Sequence, residues 1–233
     1  MSRPRLALLD ASHGTAHTRR NFRRELDADL VEFDVTDGTR PPTFEYDGVV
    51  VTGSRSSVYW DEPWIDALTD WVADATDRGV PVLGVCYGHQ VLAEALGGRV
   101  EAMDDIELGY REVRHTGDQL FAGIDSPFLA FETHSDRVVD LPAGATRIAE
   151  NDRGIQAFRH GDCWGVQFHP EYDQASAERI TRGKDLPAER IERVLDGITD
   201  DNYAAACRTK RLFDNFTAHV RRREPSLSAH QPF

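Results

Sequence analysis

Cys86 and the pair His169 and Glu171 are the residues whose types and spacing suit nucleophilic catalysis. Cys86 lies between Gly84 and Gly88, where the apolar run Pro81-Val82-Leu83-Gly84-Val85 gives way to the helical Val91-Leu92-Ala93-Glu94-Ala95-Leu96. Glycines two residues to either side of a nucleophile mark a sharp strand-to-helix elbow, where neighbouring side chains would clash. A cysteine at that point faces the positive end of a helix, which favours the thiolate. Further on, Cys163-Trp164-Gly165-Val166-Gln167-Phe168 reads as a strand that ends in His169-Pro170-Glu171. Residues two apart at a strand end project to the same side, so Glu171 can orient His169 while His169 takes the thiol proton. Pro170 has no N–H to satisfy and suits a strand terminus. The order Cys…His-x-Glu differs from the α/β-hydrolases, in which the acid precedes the histidine.

The elements that must hold these residues alternate. Short apolar strands are expected over 5–9, 30–35, 48–52 and 81–85, with helices over 18–28 and, opened by Pro63, over 63–77. Runs such as Gly48-Val49-Val50-Val51-Thr52 suit strands buried on both faces of a parallel sheet. Shorter strands around 108–113, 128–131, 146–149, 156–159 and 163–168 follow, then helices around 188–196 and 203–222. The expected fold is α/β, an open and mostly parallel sheet with flanking helices. The expected organisation is one domain over 1–233, with a core over 1–172, a helical extension over 173–222 and a frayed tail over 223–233.

With 233 residues and 40% hydrophobic content the chain can build a core without disulfides or a structural metal. Its three cysteines are odd in number and far apart, so they form neither a disulfide framework nor a CxxC pair. Cys163 and Cys207 read as structural. Neither an HExxH run nor a tight His/Cys/Asp cluster is visible, so no metal and no cofactor is expected. The formal charge is −13, and Lys184 and Lys210 are the only lysines. Such a dispersed acidic surface resembles that of proteins from salt-accumulating cells, where salt screens its self-repulsion. It argues against nucleic-acid binding, which needs a basic face. The basic cluster Arg221-Arg222-Arg223 sits at a helix end, where it complements the dipole. No run approaches the roughly 18 apolar residues of a spanning helix, and no signal peptide opens the chain, so a cytoplasmic protein with no membrane partner is expected.

Four segments together resemble the class I (triad) glutamine amidotransferases in order and approximate spacing. They are Val49-Val50-Val51-Thr52-Gly53-Ser54, Gly84-Val85-Cys86-Tyr87-Gly88-His89-Gln90, Thr133-His134-Ser135-Asp136-Arg137-Val138 and Gly165-Val166-Gln167-Phe168-His169-Pro170-Glu171. The resemblance is to the glutaminase domain of GMP synthase and its stand-alone relatives, and it runs from the first strand to about Glu171. It implies a flavodoxin-like fold and a Cys86–His169–Glu171 triad that hydrolyses the glutamine side-chain amide through a thioester. It also implies an oxyanion hole from the backbone N–H groups of Gly53 and Tyr87. Gln90, His134, Ser135 and Asp136 would hold the amino-acid head of the substrate, with His134 on a loop. His89 would be a neighbour of the site rather than a catalyst. The implied partners are glutamine or a γ-glutamyl compound, and a synthase supplied in trans unless the chain acts alone.

Departures leave alternatives open. Gly53-Ser54-Arg55 replaces the Gly-Gly-Pro common in GMP synthase, and residues after Tyr172 read as a helical extension rather than a synthetase domain. The segment 60–64 and this extension look more like relatives that cleave γ-glutamyl peptides. A γ-glutamyl peptide hydrolase with the same triad is therefore the second reading, and a non-catalytic regulatory subunit the third. The apolar residues of 203–216 are expected to be exposed and to offer a helix-mediated contact.

Overall fold

The computed structural model describes residues 3–223. Its short apolar runs form β1 (Arg5–Asp10), β3 (Gly48–Val51), β4 (Val82–Val85) and β9 (Cys163–Val166), with nearly every side chain buried. Burial on both faces is what parallel strands covered by helices require. Together with β2 (Asp29–Asp34) they pair in parallel in the order β2-β1-β3-β4-β9. Beyond β9 the same nine-stranded sheet continues antiparallel through β8 (Gly154–His160), β7 (Thr146–Asn151), β5 (Arg99–His115) and β6 (Phe128–Asp140).

The pleat sorts alternate side chains to two layers. On one face Leu6, Leu8, Val50, Leu83, Val85, Trp164 and Val166 pack against Phe22 of α1 (Ala16–Glu25) and Leu212, Phe213, Phe216 and Val220 of α7 (Arg211–Arg222). On the other, Ala7, Leu9, Val49, Val51 and Val82 meet Leu68, Trp71 and Val72 of α2 (Pro63–Asp77) and Val91 and Leu92 of α3 (Tyr87–Ala95). A smaller cluster of Leu108, Phe131, Ala177 and Ile198 lies under α4 (Gln174–Arg182), α5 (Ala188–Asp196) and α6 (Asp200–Ala206).

Three expectations change. The helix over 203–222 is two helices, because α6 stops at Ala206 and a 3-10 turn at Cys207–Lys210 precedes α7. There the Thr209 hydroxyl donates back to the Ala206 carbonyl at 2.7 Å, a local bond that competes with helix continuation. The large apolar residues of that stretch are not exposed: Leu212, Phe213 and Phe216 are core residues, with Phe213 edge-on to Phe22, while the small Ala204 and Ala205 face solvent. Helical periodicity marks an apolar stripe but does not say whether the chain's own sheet covers it. Finally, His134 is not on a loop, since β6 runs through it. Arg221 and Arg223 pair internally, with Asp27 at 2.6 Å and Asp162 at 3.0 Å. The expected frayed tail lies, apart from Arg223, outside the described residues. Among the described residues no helix is long and apolar enough to cross a membrane.

Candidate active site

Register brings the chemistry to one edge of the parallel sheet. Val51 pairs with Gly84, and Gly84 with Gly165, so the residues that follow β3, β4 and β9 emerge side by side at the carboxyl ends of the strands. Open α/β sheets bind ligands at this edge. Cys86 leaves β4 with φ 54° and ψ −103° and caps the N-terminus of α3. A non-glycine residue at positive φ costs of order 1–3 kcal/mol and persists only where its surroundings over-determine it. Here they do: a Cβ on Gly84 would run into the Gly88 carbonyl, and one on Gly88 into the Val51 carbonyl. The Cys86 N–H is also tied to the Val166 carbonyl at 2.8 Å.

His169 arrives from the neighbouring strand. Its N–H donates to the Phe131 carbonyl of β6 at 2.9 Å, and its ring stacks on Tyr172 with centroids 4.1 Å apart. Nδ1 lies 2.8 Å from Glu171 Oε1, and both side chains are almost wholly buried. Burial alone would pull the imidazole down. The charge of the facing Cys86 and the Glu171 carboxylate outweigh it and raise His169 to about 10. Arg24 of α1 anchors this corner by donating to the Glu171 carbonyl at 2.6 Å and to Asp173 at 2.8 Å. Gly53 lies against both partners, since a Cβ there would stand 3.0 Å from His169 Cε1 and 3.7 Å from Cys86 Cβ.

A second group gathers at Asp136 on β6. Its carboxylate accepts from the Ser57 hydroxyl at 2.6 Å and the Tyr59 hydroxyl at 2.8 Å. Its carbonyl faces Gln90 Nε2 at 3.2 Å and His134 Nδ1 at 2.8 Å. Gln90 Nε2 also donates to Gln167 Oε1 at 3.3 Å.

A family model for class-I glutamine amidotransferases matches residues 8–181. The chain belongs to this family. This class-I glutamine amidotransferase is 32% identical over 177 residues to a GMP synthase [glutamine-hydrolyzing] of Vibrio vulnificus (strain YJ016), a match covering 68% of the chain and 33% of that protein. It is 31% identical over 210 residues to the GMP synthase of Azoarcus sp. (strain BH72), covering 83% of the chain and 38% of that protein. The chain thus spans about a third of the length of these curated relatives. A solved glutamine amidotransferase from Thermotoga maritima superposes with a TM-score of 0.77 at 21% identity, covering 93% of this chain and 99% of that one. One from Methylobacillus flagellatus gives 0.73 at 22%, covering 99% of both chains. At these identities the likeness establishes the shared amidotransferase fold.

Within this amidotransferase the remaining site candidates divide. Ser135 is exposed on the opposite side of β6 from His134 and Asp136 and joins none of the contacts above. His89 is fully buried against Phe158 and Gly165, and burial pulls it down to about 3, so it packs as a neutral ring. Burial pushes the Cys163 thiol up to about 11 in the core, whereas Cys207 is only half-buried. Sequence reasoning saw no tight ligand cluster, yet Glu107, Glu132 and His134 converge with one ligating atom each within 4.8 Å. It also passed over Ser57, Tyr59, Gln167, Arg24 and Tyr172. Ser57, Tyr59 and Arg24 carry no local signal, because each is brought in by pairing between distant segments, whereas Gln167 and Tyr172 flank His169 and Glu171 in the sequence itself.

Proposed function

We propose that the chain hydrolyses the side-chain amide of glutamine to glutamate and ammonia, acting alone or supplying a synthase in trans. The observation that carries this is the convergence of Cys86, the His169–Glu171 pair and Gly53 at adjacent strand ends. Cys86 sulfur attacks the amide carbon, and the displaced electrons collect on the carbonyl oxygen. The N–H groups of Gly53 and Tyr87 receive that oxyanion, a contribution of about 3–4 kcal/mol per donor in related sites. His169 enters as an imidazolium held by Glu171 and gives its proton to the nitrogen as the C–N bond breaks, leaving a γ-glutamyl thioester. Water then loses a proton to His169 and attacks the thioester. A C–O bond replaces the C–S bond, and glutamate leaves. Gln90 and the Asp136 segment, with His134 behind it, hold the amino-acid head, and no metal takes part in any step.

Glutamate release by the purified chain in concentrated KCl tests this, with Cys86→Ala as control and a γ-glutamyl dipeptide alongside. Glutamine turnover that vanishes in Cys86→Ala supports the proposal. Turnover of the dipeptide alone replaces it with a γ-glutamyl peptide hydrolase. Turnover of neither, alone or with a synthase partner, leaves a regulatory subunit.

A further inference from the structure

The β5–β6 hairpin carries a buried charge cluster that the triad chemistry does not use. Glu107 and His134 are direct cross-strand partners, and Glu132 lies two residues before His134 on the same face. The three side chains are 0–2% exposed. His134 Nε2 is 3.0 Å from Glu107 Oε2 and 3.4 Å from Glu132 Oε2, while Nδ1 is 2.8 Å from the Asp136 carbonyl oxygen. A carbonyl accepts only, as does an ionised carboxylate, and a neutral imidazole donates from one nitrogen only. This geometry fits a ring protonated at both nitrogens, with Glu107 supplying the counter-charge that a buried cation needs, while burial pushes the Glu132 carboxyl up. Glu107 is itself fixed, by Asn151 Nδ2 at 2.7 Å and Gln156 Nε2 at 3.4 Å.

The consequence reaches the substrate through one carbonyl. The Asp136 oxygen that faces His134 also accepts from Gln90 Nε2. With Nε2 committed to Asp136 and Gln167, the other end of the Gln90 amide, Oε1, is the acceptor left over. We propose that Glu107 is a positioning residue: by keeping His134 doubly protonated it fixes the Asp136 carbonyl as the acceptor for Gln90 Nε2, which turns Gln90 Oε1 toward the α-ammonium of the substrate. This rests on the glutamine reading, but it concerns the amino-acid head alone and holds whichever amine leaves.

Two measurements test it. In chain labelled with nitrogen-15 at histidine, NMR near about pH 8 shows both His134 ring nitrogens protonated in the native protein and one in Glu107→Gln. A singly protonated ring in the native chain overturns the proposal without needing any variant. Calorimetry in a Cys86→Ala background, where ligand is not consumed, shows glutamine and a γ-glutamyl dipeptide each binding about tenfold more weakly after Glu107→Gln. In the active enzyme the same substitution raises KM and leaves kcat within about threefold, and Glu107→Asp, which keeps the charge, restores part of the loss. A fall in kcat at constant KM, or affinity that the substitution does not change, sinks the positioning role alone. A chain that binds neither compound before the substitution sinks the glutamine reading and this role with it.

Discussion

The two halves of the sheet build their parts of the site by different means. In the parallel half, Cys86 and His169 are set by main-chain geometry: register, an elbow with φ 54°, and glycines that let backbones touch. Few side-chain bonds are involved, chiefly His169 to Glu171. In the antiparallel half, Asp136 of β6 is held through side chains, the charged Glu107 and His134 behind it and the neutral hydroxyls of Ser57 and Tyr59, from the segment after β3, in front. The first arrangement is stiff and intolerant of volume. The second depends on protonation and on hydrogen bonds that can be weakened one at a time.

Substitutions separate the two. The largest expected effect is Cys86→Ala, which lowers turnover by at least about 10⁴-fold. Its companion Cys86→Gly, freed of the positive-φ penalty, melts higher by calorimetry; a lower melting temperature would show that the elbow is not strained. Next comes Gly88→Ala, expected to cost about 3 kcal/mol in urea unfolding because the added methyl meets the Val51 carbonyl. A cost below about 1 kcal/mol would mean the elbow is softer than its contacts indicate.

The pH dependence comes from side-chain charges. Burial works against the charged rings of His169 and His134, but the partners Cys86 and Glu171, and Glu107 and Glu132, raise each to about 10. The fold therefore keeps protons that the unfolded chain releases above about 6.5. The stability these rings contribute is complete below that value and is lost as pH rises through about 10. His89, held near 3 by burial, acts in the other direction, and its contribution falls as pH drops from 6.5 toward 3. Urea midpoints measured from pH 5 to 10 should decline at the alkaline end, and Glu107→Gln should flatten part of that decline. The smallest effect is Tyr59→Phe, which removes one bond to Asp136 from a half-exposed ring. It should cost about 0.5–1 kcal/mol and raise the KM for glutamine only a few-fold.

The parallel half was largely legible beforehand. The Gly84-Val85-Cys86-Tyr87-Gly88 run and the strand ending in His169-Pro170-Glu171 are local signals, because an elbow and a strand terminus are made by consecutive residues. Pro63 opened α2 where expected, and α5 spans the predicted 188–196. The antiparallel half was not legible in the same way. Nothing local in Glu107-Leu108-Gly109-Tyr110 says that Glu107 will face His134, 27 residues away, and the sequence suggests a loop at His134 where the structure has a strand. The apolar face of α7 likewise gave no sign that it would be covered by β1, β9 and Phe22.

By itself the sequence determined the α/β class, the strand-to-helix elbow at Cys86 and the His-x-Glu terminus, since each depends on steric and hydrogen-bonding needs within a few residues of chain. Tertiary structure alone decided which strands are neighbours and in what register. It thereby decided that Gly53 closes against His169, that Gln90 and His134 meet at one carbonyl, and that two glutamates stand behind that histidine. Those contacts join segments far apart in sequence. What selects them is the summed burial and pairing of the whole sheet, a quantity that no local pattern contains.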